Sequence, residues 1–540
     1  MMDYPLTLPA ILERAGEYFG RTEIVSRLQC GSLHRETFSD LRLRARKLAE
    51  CLTTAGLKRG DRVATLMWNH YVHLEQYFGI PAAGGVLHPL NLRLHPDEIA
   101  YIIRHAQDRF LIVDDVLLPV FEKLKSQVNL ERIFVVRHTQ QPIPAGYEDY
   151  ESWLQQASGN FEYPKISEQD GASMCFTSGT TGSPKGVLYS HRSLVLQTFA
   201  QAMTDSCGLS QKDVLLIGSS MFHVNAWGFP FTAAMVGAKL VFPGAQLDAE
   251  SLLELIEREQ VTITCAVPTI WLAVQALLDQ RGTNWKLPQE VRILCGGTAP
   301  PESLIRGLDR HGLHIMHAWG MTETSPLATI CRVRPEMLSW PEDQQYEVRS
   351  KQGWALPFVD LRVSTPEGLA PHDGKTAGEL EVRGPWIAAS YYKSPESRDR
   401  WTKDGWFRTG DVANIDAQGC VKIVDRSKDM IKSGGEWISS ADLENSLMSH
   451  PAVREAAVIA APHPKWQERP LAVVTLKNGA SAKPEELREF LGAKFAKWQL
   501  PDDFVFVNEL PHTSTGKLLK AELRKQYANW QWGETNASGS

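Results

Sequence analysis

Paired cysteines are missing from this sequence. Its 8 Cys (Cys30, Cys51, Cys175, Cys207, Cys265, Cys295, Cys331 and Cys420) stand singly, with no Cys-x-x-Cys. In a chain of 540 residues that scatter reads as buried thiols, not as a disulfide framework. A basic excess is missing too. The 57 Lys+Arg face 63 Asp+Glu for a net charge of −6, which excludes a chain built to coat nucleic acid. Long apolar runs are also lacking. The longest nearly uncharged stretch, Ala226 to Ala238, contains Gly and Pro and falls well short of the ~20 residues that span a bilayer. The start, Met1-Met2-Asp3-Tyr4-Pro5, has neither a basic segment nor an apolar one behind it, so no secretory signal is expected. The expectation is a soluble protein of a reducing compartment, the cytoplasm, with at most peripheral membrane contact. The sequon Asn536-Ala537-Ser538 is then without consequence. Internal repeats and low-complexity tracts are absent.

What is present is the composition of a packed protein: 43% hydrophobic and 22% charged residues, enough apolar content to offset the ordering entropy of folding. The length corresponds to three or four folding units. Ser39 precedes a periodic helix (Leu41, Ala45, Leu48, Leu52) that stops at Gly56, and Arg62 to Leu66 follows as a strand. Pro96 opens a second helix ahead of the strand Phe110 to Val113. Asp248 can cap a third, which leads into the apolar run Val261 to Val267. Such alternation predicts an α/β fold of layered sheets and helices with parallel strands. Near residue 425 the composition changes. The run Asp425-Arg426-Ser427-Lys428-Asp429 is densely charged. Beyond it Ser439 to Asp442 has capping-box spacing. Strands follow at Ala456 to Ala460, Leu471 to Leu476 and Phe504 to Val507, with a helix around Leu487 to Phe495. We therefore expect a large region, 1–424, built from subdomains, a hinge at 425–430, and a small mobile α+β domain, 431–540.

The segment Thr177-Ser178-Gly179-Thr180-Thr181-Gly182-Ser183-Pro184-Lys185-Gly186-Val187 packs hydroxyls, three glycines and a lysine into eleven positions. Glycines let backbone N–H groups turn toward an anion, hydroxyls add donors, and the lysine adds charge. The physical reading is a phosphate-holding loop. A Walker A loop would need Gly-Lys-Ser/Thr opening a helix, whereas Pro184 precedes Lys185 here and Gly186 follows it.

This loop resembles the signature of the adenylate-forming superfamily, which includes acyl-CoA synthetases, peptide-synthetase adenylation domains and luciferases. The remaining family segments occur in order: Met221-Phe222-His223-Val224-Asn225-Ala226-Trp227, His317-Ala318-Trp319-Gly320-Met321-Thr322-Glu323, Trp406-Phe407-Arg408-Thr409-Gly410-Asp411, the stretch Asp425 to Trp437, and Thr513-Ser514-Thr515-Gly516-Lys517. Within that superfamily the Phe-His-Val-Asn-Ala-Trp run, Lys432 to Ser440 and His463 to Pro470 resemble bacterial medium- and long-chain fatty-acid–CoA ligases. Methylmercaptopropionate–CoA ligases look similar over the same segments.

The resemblance implies a two-step reaction. A carboxylate attacks the α-phosphate of ATP to give an acyl-adenylate and pyrophosphate, and CoA then displaces AMP. It implies Lys517, His223 and Glu323 as catalytic residues, and Thr177 with Glu323 as the Mg²⁺ site, oxygen donors suited to a hard cation. ATP contacts are implied for Thr177, Ser178, Gly179, Thr180, Thr181, Gly182, Lys185, Gly297, His317, Ala318, Trp319, Gly320, Thr322, Asp411, Arg426, Lys432 and Trp437. Asp411 would take the ribose hydroxyls, since its two acceptor oxygens suit two donors. Trp227 would gate an acyl tunnel and Lys428 would be the hinge; Phe222, Phe229 and Phe231 read as core packing. Homodimers are a further expectation of the likeness. Two departures stand out. Trp319 replaces the family's usual Tyr beside adenine, and Gly218-Ser219-Ser220 replaces a proline-containing lead-in to the acyl pocket. A peptide-synthetase domain is disfavoured because no carrier segment follows Lys517. A luciferase would need oxygen chemistry that these motifs do not indicate. An inactive nucleotide-binding scaffold is disfavoured by the complete set Lys185, Glu323, Asp411, Lys432 and Lys517.

Overall fold

Thr37, two residues before the expected start, opens the first long helix. Its hydroxyl accepts the Asp40 N–H (3.3 Å) and the Asp40 carboxylate accepts the Thr37 N–H (2.9 Å), a reciprocal cap that starts the helix at Phe38–Thr54. Its buried face carries Leu41, Ala45, Leu48 and Leu52, as the periodicity requires. Asp248 caps Ala249–Glu259 by accepting the Ser251 N–H at 2.9 Å. In the computed structural model, residues 1–177, 183–281, 284–433, 436–513 and 517–532 are described.

Among the described residues the strands form four sheets. The first has seven strands in the order Glu148–Asp149, Arg132–Val136, Asp108–Asp114, Arg62–Leu66, Val86–Pro89, Gly171–Phe176, Gly186–Ser190. All pair in parallel except the last two. The second has nine strands and a parallel centre running through Val214–Leu216, Ile263–Ala266, Val291–Cys295 and Leu313–Gly320. A five-stranded antiparallel sheet follows between Asp360 and Arg426. The strand Val421–Arg426 therefore runs two residues into the expected hinge, held by pairing of Arg426 with Asp411.

The fourth sheet belongs to the small C-terminal α+β domain. There Val453–His463 and Gln467–Leu476 form a long antiparallel pair, and Asp503–Phe506 adds in parallel. Its cores draw on Ile431, Leu443, Val458, Val474 and Leu487, and on Ala457, Leu471 and Leu523. The large region's cores end at Ile423. Apolar packing thus changes hands between Ile423 and Ile431, and polar groups bridge the gap. Asp425 accepts the Ser440 N–H at 2.7 Å, and Arg524 pairs with Asp429 at 2.6 Å. Phe222, Phe229 and Phe231 are core residues, all buried. No helix among the described residues is long and apolar enough to cross a membrane.

Candidate active site

The strand Gly171–Phe176 delivers Thr177 to the rim of a cavity of about 370 Å³. Thr177 and Lys185 close the neck of the glycine-rich loop. The Thr177 N–H donates to the Lys185 carbonyl (2.9 Å), and the Lys185 N–H donates to the Thr177 hydroxyl (3.1 Å). Ser178, Gly179, Thr180, Thr181 and Gly182 lie outside the described residues. The Lys185 ammonium stands 5.1 Å from the centre of the Tyr391 ring.

The neighbouring wall comes from the strand Leu313–Gly320, whose end presents Ala318, Trp319 and Gly320, followed by Thr322 and Glu323. Glu323 is buried and fixed from two sides. The Tyr391 hydroxyl donates to its Oε1 at 2.5 Å, and the Ala388 N–H donates to its carbonyl at 2.8 Å. Glu323 and Thr177 both line the cavity and offer hard oxygen donors, so the donor set fits Mg²⁺.

Asp411 arrives on the antiparallel strand Phe407–Ile415. Its Oδ1 pairs with Arg426 Nε at 2.7 Å and its Oδ2 accepts the Trp319 indole N–H at 2.9 Å. Both carboxylate oxygens are oriented, and each keeps acceptor capacity for a further donor. Lys517, from the C-terminal domain, enters the same cavity. Gly297 makes room for it: a Cβ there would lie 3.4 Å from Lys517 Cε, and the Gly297 φ of +90° suits glycine. Burial and then repulsion from Arg426 pull the Lys517 ammonium down to about 8. It remains mostly charged at neutral pH.

His223 leads into an unusual turn that ends on Trp227. Val224, Asn225, Ala226 and Trp227 have φ of 38°, 45°, 50° and 57°, a left-handed run that costs about 1–2 kcal/mol per non-glycine residue. Buried polar groups over-determine it. The Asn225 amide donates to Ser173 Oγ (2.6 Å) and accepts from the Cys175 thiol (2.9 Å), and Gln201 donates to the Trp227 carbonyl (3.0 Å). The turn holds His223 and Trp227 on the cavity wall. Burial, with Lys517 nearby, pushes His223 down to about 3, so its imidazole is neutral.

The first 390 or so residues and the C-terminal tail each match a known sequence family: residues 12–392 the AMP-binding enzymes, and residues 442–517 the AMP-binding enzyme C-terminal domain. The chain belongs to the AMP-binding enzymes. This AMP-binding enzyme is 49% identical to a long-chain-fatty-acid–CoA ligase of Thermus thermophilus, covering 99% of this chain and 98% of that protein. It is 43% identical to a 3-methylmercaptopropionyl-CoA ligase of Ruegeria lacuscaerulensis, over 98% of each chain. In three dimensions it resembles the crystal structure of the anthranilate CoA ligase AuaEII in complex with anthranoyl-AMP, with a TM-score of 0.85, 27% identity, and coverage of 97% of this chain and 98% of that one.

Not every expected residue of the AMP-binding enzyme reaches the cavity. His317 is buried with Nδ1 3.0 Å from the Ser350 carbonyl, and it turns that nitrogen to the neighbouring backbone. Lys432 and Trp437 lie on the hairpin of the C-terminal domain. The Lys432 N–H donates to Glu468, and its ammonium stands 5.6 Å from the centre of the exposed Trp437 ring. Lys428 and Arg426, by contrast, do line the cavity. Sequence reading missed Tyr391 and Arg400, which also face it. Tyr391 reaches Glu323 across 68 residues of chain, and no spacing rule connects the two.

Proposed function

We propose that the chain is an ATP-dependent acid–thiol ligase. It converts a medium- or long-chain fatty acid to its CoA thioester through an acyl-adenylate, releasing pyrophosphate and AMP. The observation that carries this reading is the convergence of Lys517 from the small domain with Glu323 and Asp411 from the large region around one cavity.

In the first step a carboxylate oxygen attacks the α-phosphorus and the bond to pyrophosphate breaks. Negative charge builds between the two reactants, and the Lys517 ammonium is the cation at hand to hold both. Neutral His223 lines the acyl side without adding a second positive charge beside Lys517. Asp411, pre-oriented by Trp319 and Arg426, accepts the ribose hydroxyls. Thr177 and Glu323 are the residues that would hold Mg²⁺, which would neutralise phosphate charge when bound. In the second step the CoA sulfur attacks the acyl carbon, AMP leaves, and the thiol proton goes to solvent. Lys517 belongs to the adenylation step alone, so a hinge at 425–430 with Lys428 as its pivot exchanges it for a face that admits CoA. The division of apolar packing between Ile423 and Ile431 supports that motion. Eight cysteines without a disulfide, seven of them buried, support a cytoplasmic setting.

A second reading, a ligase for a thioether acid, rests on the 43% identity to the methylmercaptopropionyl-CoA ligase. That value stands beside 42% to a medium-chain-fatty-acid–CoA ligase of Ectopseudomonas oleovorans. ATP–pyrophosphate exchange driven by a panel from 3-methylmercaptopropionate to long-chain fatty acids, followed by thioester formation with CoA, decides between them. Highest kcat/KM on medium or long acids supports the first reading, and highest on the thioether acid the second. No exchange with any acid overturns both.

A further inference from the structure

Three side chains outside the nucleotide cavity meet at the carboxyl ends of three adjacent strands of the seven-stranded sheet. Asp114 ends the strand Asp108–Asp114, and its neighbours in the sheet are Arg132–Val136 and Arg62–Leu66. These strands run parallel, so the segments that leave their carboxyl ends emerge together. His138 follows the first by two residues and His70 follows the second by four. One ligand atom from each of His70, Asp114 and His138 lies within 4.8 Å of the others. His70 Nε2 is 3.1 Å from both Asp114 oxygens, and His138 Nε2 is 3.0 Å from Oδ1. The imidazole centroids are 4.7 Å apart with their planes inclined at 69°. None of the three lines the nucleotide cavity.

We propose that His70, Asp114 and His138 form a three-ligand site for one divalent transition-metal ion of the Zn²⁺ class, with water completing the tetrahedron. The inference does not depend on the ligase reading. Two imidazoles and a carboxylate are a donor set that such ions favour. The separations also suit it. Bonds of roughly 2.0–2.1 Å in a tetrahedron place ligand atoms roughly 3.3 Å apart, a few tenths of an ångström beyond the contacts seen here. Charge points the same way. Asp114 is buried, and its ion-pair partners among the described residues are the two histidines alone. A buried carboxylate needs a positive charge beside it, and a divalent cation would supply one.

Asp114 has the outer contact of a positioned ligand, while His70 Nδ1 is buried without a hydrogen-bond partner. The Trp68 N–H donates to Asp114 Oδ2 at 2.9 Å and orients the carboxylate, the service that outer-shell donors perform in metal sites. The consequence reaches the nucleotide cavity through Asn69, the residue before His70. Its amide donates to the carbonyls of Ile217 (3.1 Å) and Ser219 (2.7 Å) and accepts the Met221 N–H (2.9 Å). That segment leads into His223. An ion at His70 would stiffen it without touching substrate.

The test uses the full chain without a histidine tag, stripped of metal with a chelator and titrated with Co²⁺ and with Zn²⁺. The expected result is one equivalent bound, with visible Co²⁺ absorption of tetrahedral intensity that Zn²⁺ displaces, and a rise in melting temperature on adding Zn²⁺. His138→Ala, at a partly exposed position, should weaken Zn²⁺ binding more than about 100-fold, beyond the usual loss of an outer-shell partner. Glu323→Gln should leave it unchanged, which separates this ion from one that accompanies ATP. Three outcomes would overturn the proposal: a stripped wild-type chain that takes up no stoichiometric Co²⁺, a folded His138→Ala that binds as wild type, or binding lost in Glu323→Gln. The first needs no variant, so a variant that fails to fold does not leave the site untested.

Discussion

The Trp319 indole donates its N–H to Asp411 Oδ2 at 2.9 Å, joining residues 92 positions apart. The departure from the family's usual Tyr therefore has a structural use: the indole nitrogen anchors the carboxylate proposed to hold ribose, while the ring stays on the cavity wall.

Trp319→Phe keeps an aromatic face and removes the donor. A hydrogen bond to a charged group contributes about 1.5–3 kcal/mol, so KM for ATP should rise by about tenfold or more. The melting temperature should barely move. Steady-state kinetics beside a thermal melt checks both, and an unchanged KM would show that Arg426 alone positions Asp411.

The lowered Lys517 value gives the adenylation step an alkaline limb. The ammonium is the working form, so kcat/KM for pyrophosphate exchange should be flat below about pH 7 and fall as pH rises through about 8. Lys517→Arg should remove that fall within the accessible range. Lys517→Ala should lose about 10²–10³ in exchange rate while still making thioester from supplied acyl-adenylate. With His223 neutral down to about 3, no inflection near pH 6–7 should come from that ring.

Lys428→Pro should spare adenylate formation and depress thioester formation, because proline fixes φ at the proposed pivot. Pyrophosphate release and acyl-CoA formation, measured separately, report the two halves. Equal loss in both would place the pivot elsewhere.

Trp227→Ala should change the acyl-substrate KM and the chain-length profile. The indole lies on the cavity wall beside Gly296, where a Cβ would come within 3.9 Å of its ring. A profile identical to wild type across the acid panel would remove Trp227 from the acyl path.

Asn225→Ala tests the left-handed turn itself. It leaves Ser173 without the amide donor and the Cys175 thiol without its acceptor, so unfolding in urea should show a loss of about 1–3 kcal/mol. Because the turn carries His223, the adenylation rate should fall as well. A stability loss with full activity would make the strained backbone a feature of the core alone.

Helices and strands with strong local signals were legible from residue types. The stripe Leu41, Ala45, Leu48, Leu52 and the Asp248 cap both appear in the structure, because periodicity and capping act over a few residues. The start of the helix Phe38–Thr54 was less so: Ser39 is a good capping residue by type, but Thr37 alone has Asp40 three positions on to complete the reciprocal bond. The turn Val224–Trp227 carried no backbone signal. Its conformation is imposed by Ser173, Cys175 and Gln201, which come from other strands and helices.

By itself the sequence determined the α/β class, a small C-terminal domain and the family motifs, since composition, period and a contiguous motif are local properties. Only the tertiary structure decided which groups meet: Tyr391 with Glu323, Trp319 with Asp411, and His70 with Asp114 and His138. Those encounters depend on the order of strands in a sheet and on where each strand ends, and no spacing along the chain records either. The scattered cysteines, read at first as an absence of pairing, are seven buried and one exposed thiol. The exposed one, Cys30, has its sulfur 3.0 Å from Ser32 Oγ.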